Sequence, residues 1–271
     1  MIFQEVQGVR VPALGFGTYR LTGEECVRSV ADALALGYRH LDTAQSYDNE
    51  AEVGRGLRAA GVAREEVFLV SKVRPRHYAH GRAADSVRAS LDALGTGYVD
   101  LMLLHWPAEE AAVAAALEDL AELQREGLVR HVGVSNFPSA LVARAAQVTR
   151  LFCNQVEYHP FLAQRRLLAQ AAELDLLVTA YRPLAKGLLG AEPLLRALGA
   201  RYGKTPEQVA LRWLVQQPRV ATVPKSADPG RRAANLDVFD FALTPDEMAA
   251  VHGLAHGQRF VAPDDGPAWD E

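Results

Sequence analysis

Residues 99–105 read VDLMLLH, and this stretch decides the fold. Apart from Asp100 the run is apolar throughout, too apolar for a sheet with one wet face and suited to a strand buried on both faces. A histidine follows at once. Working outward, the same plan recurs: a short apolar run, then one ionisable or amide-bearing residue. Upstream, YRHL leads into Asp42 and VFLVS into Lys72. Downstream, RHVGVS leads to Asn136, LFCN to Gln155, DLLVTA to Tyr181 and RVATVP to Lys225. Asp42 to Lys72 is 30 residues and Lys72 to His105 is 33, the length of a strand–helix unit.

The intervening segments carry helix signals. Val87, Leu91 and Leu94 form one apolar stripe, and Val113, Leu117, Leu120 and Leu123 form another. Thr22-Gly-Glu-Glu25, Thr205-Pro-Glu-Gln208 and Thr244-Pro-Asp-Glu247 each read as a capping box, a hydroxyl and a side-chain acceptor satisfying orphan amides reciprocally. FQEVQGVRVPA at the start reads as a small hairpin with Gly8 in its turn, and LGFGT (14–18) as the first barrel strand. The 44-residue interval from Tyr181 to Lys225 leaves room for an extra helix. The reading is a (β/α)8 TIM barrel with an N-terminal β-hairpin and two extra helices, one domain over 1–271. Such a barrel needs about 250 residues, and its active site lies where the C-terminal ends of the strands meet.

Composition excludes several alternatives. A formal charge of −4 without a basic cluster argues against nucleic acid as a partner. No apolar stretch approaches the roughly 20 residues that span a bilayer, and the N-terminus lacks the plan of a signal peptide. Cys26 and Cys153 show no metal-type or redox-type spacing, so the cytoplasm is the expected setting. There are 25 arginines and four lysines, and two of those lysines, Lys72 and Lys225, sit at strand ends. In a chain that favours Arg so strongly, Lys at such places points to a need for a compact ammonium.

Asp42, Tyr47, Lys72 and His105 can act together. A phenol is a poor donor at neutral pH, and an adjacent ammonium lowers its pKa. Asp42 would keep Lys72 charged, and His105 could orient a substrate oxygen. Carbonyl reduction by hydride requires such an acid, because charge develops on the oxygen. Taken singly, Asp42 could be a capping carboxylate, His105 a core histidine and Tyr47 a pocket aromatic. Lys72 is harder to set aside, since a buried ammonium needs a partner. Asn136 and Gln155 suit a carboxamide such as that of nicotinamide, and Tyr181 offers a flat face for a planar ring. Lys225, Ser226 and Arg231 follow the last strand close to a helix N-terminus, where phosphates bind. No GxGxxG follows any strand, so a nicotinamide cofactor would bind without a Rossmann domain.

These residues resemble the aldo-keto reductases over nearly the whole chain. GYRHLDTAQSYDNE (37–50), SKV (71–73), LLHWP (103–107), GVSNF (133–137), NQVEYHP (154–160), VPKS (223–226) and NLDVFDF (235–241) follow in family order. Bacterial members that reduce 2,5-diketo-gluconate are nearest in general pattern. The resemblance implies a monomer or weak dimer that binds NADPH and reduces a small-molecule carbonyl substrate: an aldehyde, dicarbonyl or keto sugar. It implies Tyr47 as general acid, with Asp42, Lys72 and His105 completing a tetrad. Ser135, Asn136 and Gln155 would hold the carboxamide and Tyr181 would stack on the nicotinamide. Lys225, Ser226 and Arg231 would face the 2′-phosphate, and Asn235 the adenine. Gly17, Thr18, Asp42 and Leu184 would complete the cofactor cleft, and Tyr19, Tyr47, His105 and Trp106 the substrate pocket.

Three departures stand out. Arg182 follows the stacking tyrosine where Ser is usual, which favours a nearby diphosphate. Asp228 and Ala234 weaken the surroundings of a 2′-phosphate, so NADH becomes possible. The connection after His105 is short, so the pocket is open on one side, bounded by 74–80 and the tail 258–271. Arg74, Arg76, His77 and His80 there would welcome a carboxylate-bearing or polyhydroxylated substrate, although a solvated loop is the blander and favoured reading. Two other classes stay open: a non-catalytic NADP(H)-binding regulatory protein on the same barrel, and a metal-dependent hydrolase. For the latter no HxH ends a strand, and no metal ligands are assigned.

Overall fold

The computed structural model describes residues 1–264 and 266–270; Asp265 and Glu271, both in the segment expected to bound the pocket, lie outside the described residues. A hairpin opens the chain, β1 (Phe3–Val6) pairing antiparallel with β2 (Val9–Pro12). Its turn residues Gln7 and Gly8 both adopt positive φ, 52° and 77°, the backbone of a tight two-residue hairpin. Val6 and Val11 are fully buried among Phe68, Leu101, Phe152 and Leu177, which stand at or near the starts of barrel strands. The hairpin therefore plugs the N-terminal end of the barrel.

Eight parallel strands follow: β3 (Phe16–Gly17), β4 (His40–Asp42), β5 (Phe68–Val73), β6 (Val99–Leu104), β7 (Val129–Ser135), β8 (Cys153–Glu157), β9 (Leu177–Tyr181) and β10 (Val220–Thr222). They pair in chain order, and a parallel bridge from Leu14 to Thr222 joins first to last. Closure depends on Gly17. A Cβ there would sit 2.7 Å from the Val223 carbonyl oxygen, so only glycine lets the two ends meet. Every residue of β5 and β6 is buried, as VDLMLL implied.

Helices α1 (Gly23–Leu36), α2 (Glu50–Ala59), α3 (Arg82–Leu94), α4 (Glu110–Arg125), α5 (Ser139–Val148) and α6 (Arg165–Leu174) alternate with the strands. Between β9 and β10 stand two, α7 (Pro193–Tyr202) and α8 (Pro206–Gln216). After β10 come α9 (Pro229–Leu236) and α10 (Pro245–His252), so among the described residues two α-helices exceed the barrel's eight. Among the described residues, no helix is long and apolar enough to cross a membrane.

The capping boxes at Thr205 and Thr244 are both formed. The one at Thr22 is not: its hydroxyl makes no capping bond. Gly23, the first helical residue, takes φ +52°, which carries the chain away from the geometry a box requires. The neighbouring Glu24 pairs with Arg55 at 2.6 Å.

Candidate active site

The sheet delivers its polar residues to one rim. Asp42 ends β4, Lys72 lies one residue from the end of β5, and His105 is the first residue beyond β6. Tyr47 closes a short 3₁₀ turn, Gln45–Tyr47, after β4. Asn49 holds that turn down: its Nδ2 donates to the carbonyls of Thr18 and Leu21, both at 2.9 Å. Its Oδ1 accepts from the Thr43 hydroxyl at 2.9 Å. Thr18 in turn donates its hydroxyl to the Asp42 carbonyl at 3.0 Å.

Lys72 is fully buried. Its Nζ donates to Asp42 Oδ1 at 2.7 Å, Asp42 Oδ2 at 2.9 Å and the Thr43 carbonyl at 2.8 Å, and lies 3.2 Å from the Tyr47 hydroxyl. Gln155 Nε2 adds a donor to Asp42 Oδ2 at 2.8 Å. A buried ion pair persists only when its remaining donors and acceptors are satisfied, and here they are. Burial alone would lower the lysine pKa, but Asp42 and Tyr47 more than offset it, and the net direction is upward. The site thus contains a permanent ammonium against a phenol.

For the phenol itself the expected direction is overturned. Burial raises the Tyr47 pKa and outweighs the lowering by Lys72, so the group is an acid in its protonated form at neutral pH. His105 is pushed down to about 3 by burial, then by the charges of Lys72 and Arg74, and is neutral under ordinary conditions. Its Nδ1 lies 3.1 Å from Ser46 Oγ, and its ring meets Tyr47 edge-on at 5.8 Å. A pH profile follows from these directions. If the Tyr47 phenol supplies the proton for reduction, kcat should stay level through neutrality and fall only as pH rises through the raised tyrosine pKa. The reverse oxidation should gain on the alkaline side. A break in kcat between about pH 5 and 8, lost on replacing His105, would show instead that a titrating imidazole controls the step.

Beside these four residues lies a second network. Asn136, at φ +65°, donates from Nδ2 to the His105 carbonyl at 3.0 Å, and its Oδ1 accepts from Tyr181 Oη at 2.7 Å. Ser135 Oγ donates to the Gln155 carbonyl at 2.9 Å. The amide nitrogen of Gln155 is engaged with Asp42, so a carboxamide ligand would meet its oxygen. Arg182 (φ +51°) and Leu184 stand on the segment leaving β9. Beyond β10, Lys225 and Arg231 are exposed while Ser226 and Asn235 are largely buried. Asp228 caps α9, its Oδ1 accepting from the Arg231 amide at 2.7 Å. Side-chain amides, an aromatic face and a cationic loop on one rim fit a nicotinamide dinucleotide.

Trp106 is held by Tyr78, whose hydroxyl donates to the Trp106 carbonyl at 2.9 Å and lies 3.2 Å from its amide. Tyr19 packs 5.0 Å from Tyr47 and is 44% exposed, which leaves it on the open side. The helix after His105 starts at Glu110, so the short connection is real. Arg74 departs from its expected role. It clasps the Gln45 carbonyl and the Asp48 carboxylate, bracing the tyrosine turn rather than facing a ligand. The tail does cross toward Trp106: Trp269 meets it at 6.2 Å, with Arg259 4.0 Å over the Trp269 ring. Buried Glu157 anchors the tail through the amides of Phe260 and Val261, both at 2.9 Å, and Asp270 through Ser139 N and Oγ, both at 2.7 Å. The bracing by Asn49 and Glu157 is not declared by the sequence, although both lie inside motifs quoted above, YDNE and NQVEYHP.

A barrel that brings a buried ammonium–carboxylate pair against a phenol at the C-terminal rim of its strands has the features of an oxidoreductase site. The Aldo/keto reductase family pattern matches residues 13–256. The 2,5-diketo-D-gluconic acid reductase B of Corynebacterium sp. (strain SHS752001) is 43% identical over 252 residues, covering 91% of this chain and 90% of that protein. A crystal structure of a candidate 2,5-diketo-D-gluconic acid reductase B superposes with TM-score 0.96 at 45% identity, covering 100% of this chain and 98% of that one. A Gox0644 variant in complex with NADPH superposes with TM-score 0.91 at 30% identity, covering 98% and 99%. The chain belongs to the aldo/keto reductase family and is an NAD(P)H-dependent oxidoreductase.

Proposed function

We propose that the chain reduces aldehydes, dicarbonyls or keto sugars to alcohols with NADPH, acting as one catalytic domain with Tyr47 as general acid. The observation that carries this reading is the phenol oxygen 3.2 Å from an ammonium that Asp42 holds in place. The coenzyme, when bound, supplies hydride to the carbonyl carbon. Tyr47 gives its proton to the carbonyl oxygen as negative charge develops there, and the resulting phenolate is balanced by Lys72 until water reprotonates it. Neutral His105 donates a hydrogen bond to the same oxygen and orients it. Ser135, Asn136 and the Gln155 oxygen take the carboxamide, and Tyr181 gives its face to the ring. Arg182 meets the diphosphate, with Gly17, Thr18 and Leu184 lining the cleft. Lys225, Ser226 and Arg231 receive the 2′-phosphate, and Asn235 the adenine. Asp228 lies close enough along the chain to let NADH compete.

The pocket formed by Tyr19, Tyr47, His105 and Trp106 is the substrate site in this reading. Two of the similar proteins are named for 2,5-diketo-D-gluconic acid, which makes a keto sugar acid the first compound to try. The deciding assay follows NADPH consumption over a panel of aldehydes, α-dicarbonyls and keto sugars. Coenzyme binding without turnover on any of them would leave a binding protein instead.

One substitution probes the 2′-phosphate assignment. Lys225→Ala should weaken NADPH by about 10- to 100-fold, the range for losing a charge-assisted contact, and leave NADH nearly unchanged. Titration by quenching of tryptophan fluorescence reads both. Equal losses would remove Lys225 from that role.

A further inference from the structure

The loop after β10 is held by a side chain that the chemistry does not use. Arg232 belongs to α9 but is only 4% exposed, and its guanidinium reaches back beneath residues 225–228. Nη1 donates to the carbonyl of Ala227 at 2.7 Å and of Ser226 at 3.1 Å, with Ser29 Oγ at 3.3 Å. Nε donates to Asp32 Oδ2 at 2.7 Å. Ser29 and Asp32 both lie on α1, at the other end of the sequence. The Arg232 carbonyl accepts the Tyr38 hydroxyl at 2.9 Å, so backbone and side chain are both fastened.

Burying a guanidinium is costly unless its donors are matched, and here Nη1 and Nε are matched by two loop carbonyls, the Ser29 hydroxyl and one carboxylate. Closing the barrel does not require it. Closure runs through Ala13, Gly15 and Gly17 against Thr222 and Pro224, ahead of the loop. What the guanidinium fixes is the path of the backbone at Ser226 and Ala227, and hence the directions of Lys225 and Ser226. That path matters more here because Asp228 already occupies an amide at the start of α9, through the Arg231 N–H. An incoming anion must be received chiefly by side chains, and side chains deliver binding energy only where the loop holds them.

Resting on the reading of residues 225–231 as the 2′-phosphate site, we infer that Arg232 is a positioning residue for coenzyme selection. It ties the phosphate-binding loop to α1 before the coenzyme arrives, so that ordering the loop costs no affinity on binding. The nicotinamide end is held elsewhere, by Ser135, Asn136 and Tyr181. Loss of the tie should therefore weaken ligands that carry a 2′-phosphate, spare those that lack it, and leave hydride transfer alone.

The test is Arg232→Met in the full chain, titrated with NADPH, NADH and adenosine 2′,5′-bisphosphate by calorimetry, with kcat and KM measured alongside. NADPH and the bisphosphate should lose about tenfold in affinity, a typical cost of ordering a loop on binding. NADH affinity and kcat at saturating coenzyme should hold. Arg232→Lys, which keeps one donor for the loop carbonyls, should recover part of the loss. Equal weakening of all three ligands would mark a merely structural role, and no weakening would remove the role altogether; either result overturns the inference. If Arg232→Met does not fold, Asp32→Asn releases the tie from its half-exposed end and is judged by the same criteria. Lys225→Ala separates this inference from the reading beneath it. Should Arg232→Met keep its selectivity while Lys225→Ala loses NADPH, only the positioning role falls. Should Lys225→Ala itself leave the balance of NADPH and NADH untouched, it is the assignment of the loop that fails.

Discussion

Tyr47→Phe should abolish most turnover while leaving the coenzyme bound as before. The substitution removes one oxygen and keeps the ring, which packs 5.0 Å from Tyr19 and 5.8 Å from His105. Lys72 retains both oxygens of Asp42 and the Thr43 carbonyl, so the ion pair survives. The stability cost is that of one hydrogen bond, about 1 kcal/mol. The catalytic cost is far larger. Without the phenol, the alkoxide forming on the substrate must take its proton from water or from His105, whose neutral ring is a very weak acid. General acid catalysis contributes roughly 10²–10⁴-fold, and kcat should fall by that factor. Coenzyme affinity should not change, since the Tyr47 hydroxyl is not among the groups read as its contacts. Steady-state kinetics beside a fluorescence titration measures both. A variant that turned over at the wild-type rate would remove Tyr47 as the acid.

Much of this site was legible because a parallel barrel turns a one-dimensional regularity into a three-dimensional one. Each buried apolar run ends on the same face, so the residues after YRHL, VFLVS and DLMLL had to converge. Asp42, Lys72 and His105 do meet there, with Tyr47 on the turn between. What escaped depended on the local backbone path or on contacts between distant segments. The Thr22 box satisfied every local rule and failed on the left-handed Gly23, which nothing in the four-residue pattern declares. Arg74 looked available to a ligand because its partners, Gln45 and Asp48, come from another strand's loop. The balance of forces on Tyr47 is hidden from the sequence for a similar reason. Proximity to an ammonium can be read from a motif, but the depth of burial that outweighs it is a property of the packed barrel. Arg232 reads as one more arginine among 25 until its fork is seen under the Ser226 and Ala227 carbonyls.

Lys72→Met should damage both rate and stability, and a second substitution should separate the two. Methionine matches the lysine stem in length but carries no charge. Asp42 is then left buried with the Gln155 amide as its remaining side-chain donor. Stranding one member of a buried pair costs about 3–5 kcal/mol, a large share of the stability of an ordinary domain. The rate should suffer through Tyr47. Burial already lifts the phenol pKa, and Lys72 is the chief group opposing that rise. With the ammonium gone the phenol becomes a weaker acid and its phenolate loses its counter-charge, so kcat should fall by about 10²-fold or more. Combining Lys72→Met with Asp42→Asn removes the stranded carboxylate, and the double variant should regain a substantial part of the lost stability. It should regain none of the rate, because no charge then remains to favour proton release. Denaturant melts and kcat on the two single variants and the double variant complete the cycle. Recovery of rate along with stability would mean that Lys72 serves only to neutralise Asp42. Stability restored at an unchanged low rate identifies the ammonium as the group that makes the tyrosine proton available.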